Sequence, residues 1–327
     1  MIYIIYNKIL EFLKFMAKKI AFQLDDLSKI NIASDSSYML IKEAQNLGFA
    51  LFYFTVKDVF LENGKLKARF SDLLIDEEKD FPISIKNSYI DEISFFDVVF
   101  IRQDPPFDMS YISNSYLLEK LRDQVIFIND PLEIRNAPEK LLVCDFADYM
   151  PKTLVLTDVN LLHDLDFKHE EVILKPLYGC GGVDVFKFAR EDKKLIDKFS
   201  ELQKKYNAPV VIQEYLAEIK QGDLRVLLAC GKVVGQVLRV PYKDSVAANF
   251  HAGGKAVKAS LTVRQKEICE ILSPILLKKK LYFVGLDFIG DYLTEINVTS
   301  PTGIQEINYL ENKKIEKDIW QEFLQII

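Results

Sequence analysis

The sequence predicts an α/β protein (α+β overall), with an open, largely parallel sheet first and two further sheets after it. One observation is a β-α-β rhythm: IAFQL, the helical pattern SSYMLIKEAQNLG, and then ALFYFTV. A second is that FFDVVFIRQD and VIFIND repeat the short apolar run on either side of the helical NSYLLEKLRD. A third is a change after Pro138 to runs that suit a small sheet, followed from Gly222 by an antiparallel sheet with helices. We therefore expect three domains, over residues 1–137, 138–217 and 218–327.

Composition narrows the class of protein. At 327 residues and 49% hydrophobic content, the chain can form two or three packed domains. The formal net charge of −6, with lysines and acids interspersed, provides no basic stripe, so nucleic acid is not an expected partner. The four cysteines, Cys144, Cys180, Cys230 and Cys269, form no C-x-x-C pair. Their spacing predicts neither a zinc site nor a disulfide framework and suits a reducing cytoplasm.

Residues 1–16, MIYIIYNKILEFLKFM, are apolar but include Lys8, Glu11 and Lys14. The segment is too short to span a bilayer, and we expect no membrane partner. Two interpretations stay open. The segment is an amphipathic helix packed on the first domain, or translation begins at Met16, directly before the first strand.

The stretch FVGLDFIGDYLTEINVTSPTG, residues 283–303, reads as a hairpin with polar side chains in apolar surroundings. A loop of Gly290-Asp291 alone would mix the two faces, whereas an odd loop that includes Tyr292 pairs residue 287 with residue 295. One face would then carry Val284, Leu286, Phe288, Thr294, Ile296 and Val298, and the other Gly285, Asp287, Ile289, Leu293, Glu295 and Asn297. Two carboxylates and an amide oxygen side by side favour Mg²⁺ or Mn²⁺, although a solvated polar face is the simpler alternative.

Glycines follow a predicted strand in EEVILKPLYGCGGVDVFKF, where Lys175 precedes Gly179, Gly181 and Gly182. Backbone N–H groups of such a loop can bind phosphate oxygens beside the lysine. The segment is not a Walker A loop, because G-x-x-x-x-G-K-[ST] is absent. A plain turn is the alternative interpretation.

Two later segments could also bind a nucleotide. In VVIQEYLAEIKQGDLRVLL, a predicted strand has an edge that could bind adenine through its backbone groups. The segment then reaches Asp223 and Arg225, and the arginine could face a phosphate. An ordinary surface pair of Asp223 and Arg225 is the alternative. The long run LRVPYKDSVAANFHAGGKA, residues 238–256, begins with Arg239 after a strand and is typical of a lid or a disordered segment. His251 within it is a candidate base or simply a hydrogen-bonding residue.

In order and spacing, these segments resemble the ATP-grasp superfamily, and within it the bacterial glutathione synthetase family. The resemblance covers about residues 18–325. Its pieces are KINIASDSSYMLIKEAQNLG, FIRQDPPFDMSYI, NAPEKLL, ILKPLYGCGG, KQGDLRVLL and FVGLDFIGDYLTEINVTSPTG. The resemblance implies an ATP-grasp fold with an N-terminal open parallel-sheet domain, a small central lid domain and a C-terminal antiparallel-sheet domain.

The resemblance also implies a nucleotide site between two sheets. Lys140 and Lys175 would contact the ATP phosphates, and Asp223 the ribose. The cofactor-binding loop and strand edge would be Tyr178, Gly179, Gly181, Gly182, Gln213, Glu214, Tyr215 and Leu216. The divalent cations, Mg²⁺ or Mn²⁺, would be held by Asp287, Glu295 and Asn297.

Members of the family join γ-glutamylcysteine to glycine in the cytoplasm, using ATP. The implied order is attack of the cysteinyl carboxylate on the γ-phosphorus and then attack of glycine on the acylphosphate. The metal pair, Lys175 and Arg225 would neutralise charge in the first step, and Arg239 and Asn249 would stabilise the oxygens in the second. The 240–255 loop would close between the two steps.

The peptide would bind in the first domain, at Asp35, Ser36, Ser37, Arg102, Asp104 and Pro105. Family members are commonly dimers or tetramers, so a homo-oligomer is expected. One departure is Ala247, where related ligases often carry an arginine; Lys243 or Lys255 could replace it.

Two other functions stay open from the sequence. The nearer is another carboxylate-amine ligase of the same superfamily, from which R-x-D-P-P-F-D distinguishes glutathione synthesis. The other is a nucleotide-binding module without catalysis, which the retained Asp287, Glu295 and Asn297 disfavour.

Overall fold

The computed structural model describes residues 18–164, 170–242, 248 and 253–327. The expected extension over residues 1–16 and the alternative start at Met16 lie outside these residues. So do Ala247, Asn249 and His251 of the predicted lid loop.

The first part of the chain forms one mixed sheet with helices. Its elements are β1 (Lys19–Gln23), α1 (Ser36–Asn46), β2 (Ala50–Phe54), β3 (Val59–Glu62), β4 (Lys65–Ile75), β5 (Ile83–Glu92), β6 (Val98–Ile101), α2 (Met109–Glu119), β7 (Ile126–Ile128), α3 (Pro131–Asn136) and α4 (Glu139–Leu142). The strand order is β3-β4-β2-β1-β6-β7, with β5 also paired to β4. Strands β2, β1, β6 and β7 are mutually parallel, as the β-α-β rhythm predicts.

Strands β3, β4 and β5 add an antiparallel arm that the sequence prediction did not include. The turn between β3 and β4 is Asn63-Gly64, and both residues have positive φ, at 51° and 80°. This dipeptide is the strongest short-range hairpin signal, because both central residues of the favoured turn need positive φ. The arm was therefore readable from the sequence, and it makes the sheet less parallel than predicted.

A smaller antiparallel sheet follows. Its elements are β8 (Thr153–Leu156), α5 (Leu161–Asp164), β9 (Glu171–Pro176), β10 (Phe186–Ala189), α6 (Lys193–Tyr206) and β11 (Val210–Glu214). The strand order is β10-β9-β11-β8. Strand β10 begins at Phe186, so residues 182–185 belong to the loop between β9 and β10.

The last part of the chain forms an antiparallel sheet with helices. Its elements are β12 (Asp223–Ala229), β13 (Lys232–Val240), β14 (Lys255–Val257), α7 (Val263–Lys278), β15 (Phe283–Ile289), β16 (Tyr292–Asn297), α8 (Ile304–Glu311) and α9 (Ile315–Phe323). The strand order is β14-β13-β12-β15-β16. Helix α7 begins where Thr262 and Gln265 form a capping box. The predicted α/β class, with antiparallel sheets following the open sheet, is confirmed.

The first and last sheets share their hydrophobic cores, because each of two buried clusters contains residues of both. Trp320 of α9 is part of this packing and donates its indole N–H to Leu40 O of α1 at 2.9 Å. Asn129, after β7, bonds to the backbone of Phe283 and Val298. A third cluster lies within residues 156–212 of the central sheet.

Candidate active site

The β15–β16 hairpin places its polar side chains on one wall of a cleft. Asp287 pairs with Glu295 and Gly285 with Asn297, as predicted. The predicted odd loop is wrong: Ile289 pairs with Tyr292, so the loop is Gly290-Asp291 and a β-bulge restores the register.

The bulge also corrects the predicted faces at two positions. Leu293, assigned to the polar face, pairs with Phe288 and is fully buried in the core. Thr294, assigned to the apolar face, is the extra residue; it lines the cleft and its Oγ1 donates to Asp287 O at 3.0 Å. The bulge thus supplies a hydroxyl to the polar wall without moving Glu295.

Asp287 is the most heavily hydrogen-bonded side chain of this wall. Arg225 donates from Nε to Oδ1 at 2.5 Å and from Nη2 to Oδ2 at 2.8 Å. Arg239 Nη2 lies 3.0 Å from Oδ1, and Asn297 Nδ2 donates to Oδ2 at 3.0 Å. Burial would raise the pKa of Asp287, but Arg225 and Arg239 hold it well below its ordinary value. The carboxylate is therefore ionised, and its lone-pair directions are filled by N–H donors.

Two lysines face Glu295 across the cleft. Lys140 Nζ, from α4, lies 3.4 Å from Glu295 Oε1, and Lys175 Nζ, from β9, lies 3.8 Å from the same oxygen. Burial lowers the pKa of Lys175. Burial acts in the same direction on Lys140, but Glu139 and Glu295 outweigh it and raise its pKa. The two ammonium groups, which pair with Glu139 and Glu295, line the cleft where the phosphates of a nucleotide could bind.

The glycine-rich loop closes over this cluster. Gly179 O accepts a hydrogen bond from Lys140 Nζ at 2.6 Å, and a Cβ at Gly179 would lie 2.3 Å from Pro176 Cγ. Gly181 and Gly182 have φ of 67° and 74°, a conformation that favours glycine. The loop therefore needs its glycines for close approach and for left-handed backbone.

An aromatic stack holds the start of this loop. The ring of Tyr178 stacks on Phe107 of the first domain, with centroids 5.9 Å apart and an interplanar angle of 27°. Phe107 also contacts Tyr111 of α2 at 5.2 Å. Phe107 is part of the motif FIRQDPPFDMSYI, but no role was predicted for it from the sequence. In the structure, Phe107 links the first domain to the glycine-rich loop.

Strand β11 brings its end to the cleft. Gln213 accepts from Lys175 Nζ at 3.1 Å through Oε1 and donates to Thr153 Oγ1 at 2.8 Å. Glu214, Tyr215 and Leu216 line the cleft beyond it. This places the predicted adenine-binding edge next to the predicted phosphate lysine.

Asp223 lines the cleft and contacts Arg239. Its Oδ2 accepts from Arg239 Nη2 at 2.5 Å, while Oδ1 is buried with no hydrogen-bond donor among the described residues. Burial is the main cause that raises the pKa of Asp223 to about 7, against the effect of Arg239. Asp223 and Asp287 together orient Arg239.

The predicted peptide residues divide into two sets. Asp35, Asp104 and Pro105 line the cleft. Ser36, Ser37 and Arg102 are buried and are not among the residues that line it.

The second set ties the first domain to residues 301–304. Ser36 Oγ accepts from Gly303 N at 3.1 Å and Ile304 N at 3.3 Å. Arg102 donates to Ser37 Oγ at 3.0 Å and to Pro301 O at 3.1 Å. These contacts connect the three side chains to the wall of the cleft that residues 301–304 form.

Sequence reasoning missed two carboxylates at the cleft, Glu139 and Glu306. Glu139 bonds to the neighbouring Lys140 and burial raises its pKa. Glu306 follows the quoted hairpin motif by three residues. A signal for both existed, since each is an acidic residue in the first turn of a helix beside a quoted motif.

The whole cleft has a volume of about 910 Å³ and lies between the central and last sheets, with the first domain at one end. Its lysines and arginines can bind phosphates, and its carboxylates and amide can bind a divalent cation. This combination on two antiparallel sheets is that of an ATP-grasp ligase.

Comparison with known proteins agrees with this class. Residues 18–135 match the model of the prokaryotic glutathione synthetase N-terminal domain, and residues 139–312 that of its ATP-grasp domain. Glutathione synthetase of Agrobacterium fabrum is 40% identical over 303 residues, covering 93% of this chain and 95% of that protein. Glutathione synthetase of an Escherichia coli strain is 38% identical over 291 residues, covering 88% and 92%.

Solved structures show the same fold at low sequence identity. D-cycloserine synthetase matches with a TM-score of 0.67 and 15% identity, covering 94% of this chain and 99% of that one. A RiPP-associated ATP-grasp ligase of Chryseobacterium gregarium, solved with ADP and a leader and core peptide, matches with a TM-score of 0.60 and 16% identity, covering 95% of this chain and 97% of that one.

The chain belongs to the prokaryotic glutathione synthetase family, whose members are ATP-dependent ligases. The recognition made from the sequence motifs is thereby confirmed. Within the described residues, no helix is both long and apolar enough to cross a membrane.

Proposed function

We propose that this chain synthesises glutathione by joining γ-glutamylcysteine to glycine, with ATP converted to ADP and phosphate through an acylphosphate. The observation that carries this proposal is the cluster in which Lys140, Lys175, Arg225 and Arg239 face Asp287, Glu295 and Asn297 in one cleft. Membership of the family supports the substrate assignment.

ATP lies between the central and last sheets in this proposal. Lys140 and Lys175 bind its phosphates, under the loop of Tyr178, Gly179, Gly181 and Gly182. Residues 213–216 lie along the adenine. Asp223 is assigned to the ribose only as the resemblance implies, because its contact with Arg239 supports an orienting role equally well.

Asp287, Glu295 and Asn297 carry side-chain oxygens on neighbouring pairs of one hairpin, a donor set that suits Mg²⁺ or Mn²⁺. Because N–H groups of Arg225, Arg239 and Asn297 already surround the Asp287 carboxylate, a cation would bind Asp287 in place of one of these donors, such as the Asn297 amide. Among the described residues there is no cluster of three or more His, Cys, Asp or Glu side chains, so the amide of Asn297 is needed to complete the set. When bound, the cation supplies positive charge to the phosphate oxygens and polarises the γ-phosphorus.

The first step brings the cysteinyl carboxylate to the γ-phosphoryl group, so two anions meet. Arg225 and Lys175 line the cleft within the same charged cluster and neutralise this charge. Both are buried, at 6% and 7% exposed, so their charges act in a medium of low effective dielectric. Asp287 keeps Arg225 oriented through two parallel hydrogen bonds.

Arg239 stabilises the acylphosphate and tetrahedral oxygens, and Asp223 and Asp287 hold its guanidinium in place. Asn249 has the same proposed task on the 240–255 loop, which excludes water before glycine attacks. Asp35, Asp104 and Pro105 contact the peptide, while Ser36, Ser37 and Arg102 hold that wall against residues 301–304.

We further propose a homo-oligomer, a dimer or tetramer, and a cytoplasmic location. The four cysteines are free in the structure, which suits a reducing compartment. The boundaries 1–137, 138–217 and 218–327 remain our proposal for the domains. Light scattering after size exclusion measures the oligomeric state.

Phosphate release by the purified protein with ATP and Mg²⁺ tests the function. The assay compares γ-glutamylcysteine plus glycine with each alone and with other peptide and amino-acid pairs. Phosphate and glutathione formed in equal amounts are the expected result. Phosphate release only with another peptide and amino-acid pair would identify that pair as the substrates instead. No phosphate release with any pair would favour a nucleotide-binding module without catalysis.

A further inference from the structure

Glu306 lines the cleft, but no step described above uses it. Its Oε2 is buried, with no hydrogen-bond donor among the described residues. Burial raises the pKa of Glu306, against the opposing effects of its own backbone N–H and of Arg225. A buried polar atom without a partner is unfavourable, so this wall favours a ligand that donates a hydrogen bond.

The residues near Glu306 in sequence contact both the peptide side of the cleft and the charged cluster. On one side, Gln305 Nε2 donates to Ile32 O at 2.6 Å and to Asp35 O at 3.0 Å, which holds the loop before α1 against this turn of α8. On the other side, Arg225 Nη1 donates to Thr302 O at 3.2 Å. A group bound at Glu306 is therefore close to the reacting centre.

We propose that Glu306 binds the ammonium group of the acceptor amino acid, glycine, and removes the proton that prevents its attack. The inference rests on the proposed function. The pairing of charges in the cleft supports it, because Glu139, Glu295, Asp287 and Asp223 already form ion pairs with its lysines and arginines, whereas Glu306 has no ion pair among the described residues. In this proposal, Asp35 and Asp104 of the first domain bind the ammonium group of the γ-glutamyl residue.

The proton and electron balance is simple. The Glu306 carboxylate takes one proton from the glycine ammonium, leaving a neutral amine. The amine lone pair forms the new C–N bond at the acyl carbon, and the C–O bond to phosphate breaks with its electron pair going to the leaving phosphate. The second proton lost by nitrogen goes to that phosphate, and Glu306 returns its own proton to solvent.

The test separates the acceptor step from formation of the acylphosphate. Full-length wild type, Glu306→Gln and Glu306→Asp are supplied with ATP, Mg²⁺ and γ-glutamylcysteine, and with either glycine or hydroxylamine as acceptor. Hydroxylamine is largely unprotonated at neutral pH and captures an acylphosphate as a hydroxamate without a base. The matched control is Glu311→Gln, on the same helix, whose carboxylate pairs with Lys258 at 3.1 Å.

For Glu306→Gln, kcat/KM for glycine is expected to fall by about 100-fold, the usual contribution of a positioned base. Hydroxamate formation stays within about twofold of wild type, which also shows that the variant is folded. Glu306→Asp keeps a carboxylate and recovers about tenfold of the loss. Glu311→Gln matches wild type with both acceptors.

An unchanged glycine rate in Glu306→Gln would overturn the inference. So would equal loss with both acceptors in both Glu306 variants, because Glu306 would then act on the peptide or on folding. A wild-type protein that forms neither hydroxamate nor glutathione overturns the proposed function itself, and the inference with it.

Discussion

Replacing Asn129 with alanine is expected to loosen the base of the β15–β16 hairpin. Asn129 is 2% exposed and makes three buried hydrogen bonds. Its Nδ2 donates to Phe283 O at 2.8 Å and Val298 O at 2.7 Å, and its Oδ1 accepts from Phe283 N at 2.7 Å. One side chain thus links the end of the first sheet to both strands that carry the proposed cation ligands.

The cost follows from the three backbone groups left without a partner. At roughly 1–2 kcal/mol for each buried group, Asn129→Ala loses about 3–6 kcal/mol of unfolding free energy. A water entering the polar cavity would recover part of this, which places the expected value near the lower end, about 3 kcal/mol. Turnover falls as well, because Asp287 and Glu295 lie on the loosened hairpin.

Urea unfolding measures the change, followed by the fluorescence of Trp320, the single tryptophan of the chain. Asn160→Ala is the control: Asn160 is exposed and bonds only locally to Asp158, so its change is within about 0.5 kcal/mol. Asn129→Asp keeps the volume but removes both donated bonds, and it should be at least as destabilising as the alanine variant. Loss below about 1 kcal/mol in both Asn129 variants would refute the reasoning.

Three further predictions concern the site. Glu295→Ala is expected to abolish phosphate release and keep the urea midpoint near wild type, because its carboxylate faces the cleft; substantial remaining turnover would remove Glu295 from the cation set. Phe107→Ala removes the stack on Tyr178, worth about 0.5–1.5 kcal/mol, so steady-state kinetics should show the KM for ATP rising about two- to tenfold with little change in kcat. An increase confined to the KM for γ-glutamylcysteine would contradict that role. Chelation with EDTA should stop glutathione formation and excess Mg²⁺ or Mn²⁺ should restore it, whereas full activity in EDTA would count against the cation proposal.

The hairpin shows what a sequence pattern can and cannot specify. Alternation of polar and apolar residues required Asp287 to pair with Glu295, and the structure agrees. The pattern could not say how the register is reached, because an odd loop and a two-residue loop with a bulge give the same pairing at that position. Only the burial of Leu293 and the exposure of Thr294 to the cleft distinguish the two.

The prediction that polar residues after the parallel strands line a cleft agrees with the structure for only some of those residues. Strand ends do converge on the cleft, which is why Asp35 and Asp104 line it. Ser36 and Arg102 instead bond to the backbone of residues 301–304, some 200 positions or more away along the chain, and Ser37 bonds to Arg102. Contacts at that separation depend on tertiary packing and leave no local pattern.

Together with the shared core of the first and last sheets, these long-range contacts fix the peptide wall relative to the cation hairpin. Arg102 and Asn129 reach from the first domain to the last sheet and the segment that follows it, so the proposed peptide wall and the cation hairpin are held by the same packing. The central sheet has its own core within residues 156–212 and meets the first domain through the Phe107–Tyr178 stack. A movement of the central sheet to admit ATP would therefore break that stack, the Lys140–Gly179 hydrogen bond and the contact between Lys175 and Glu295, but none of the shared core. Such a movement would open the nucleotide site while the peptide and cation sites keep their relative geometry.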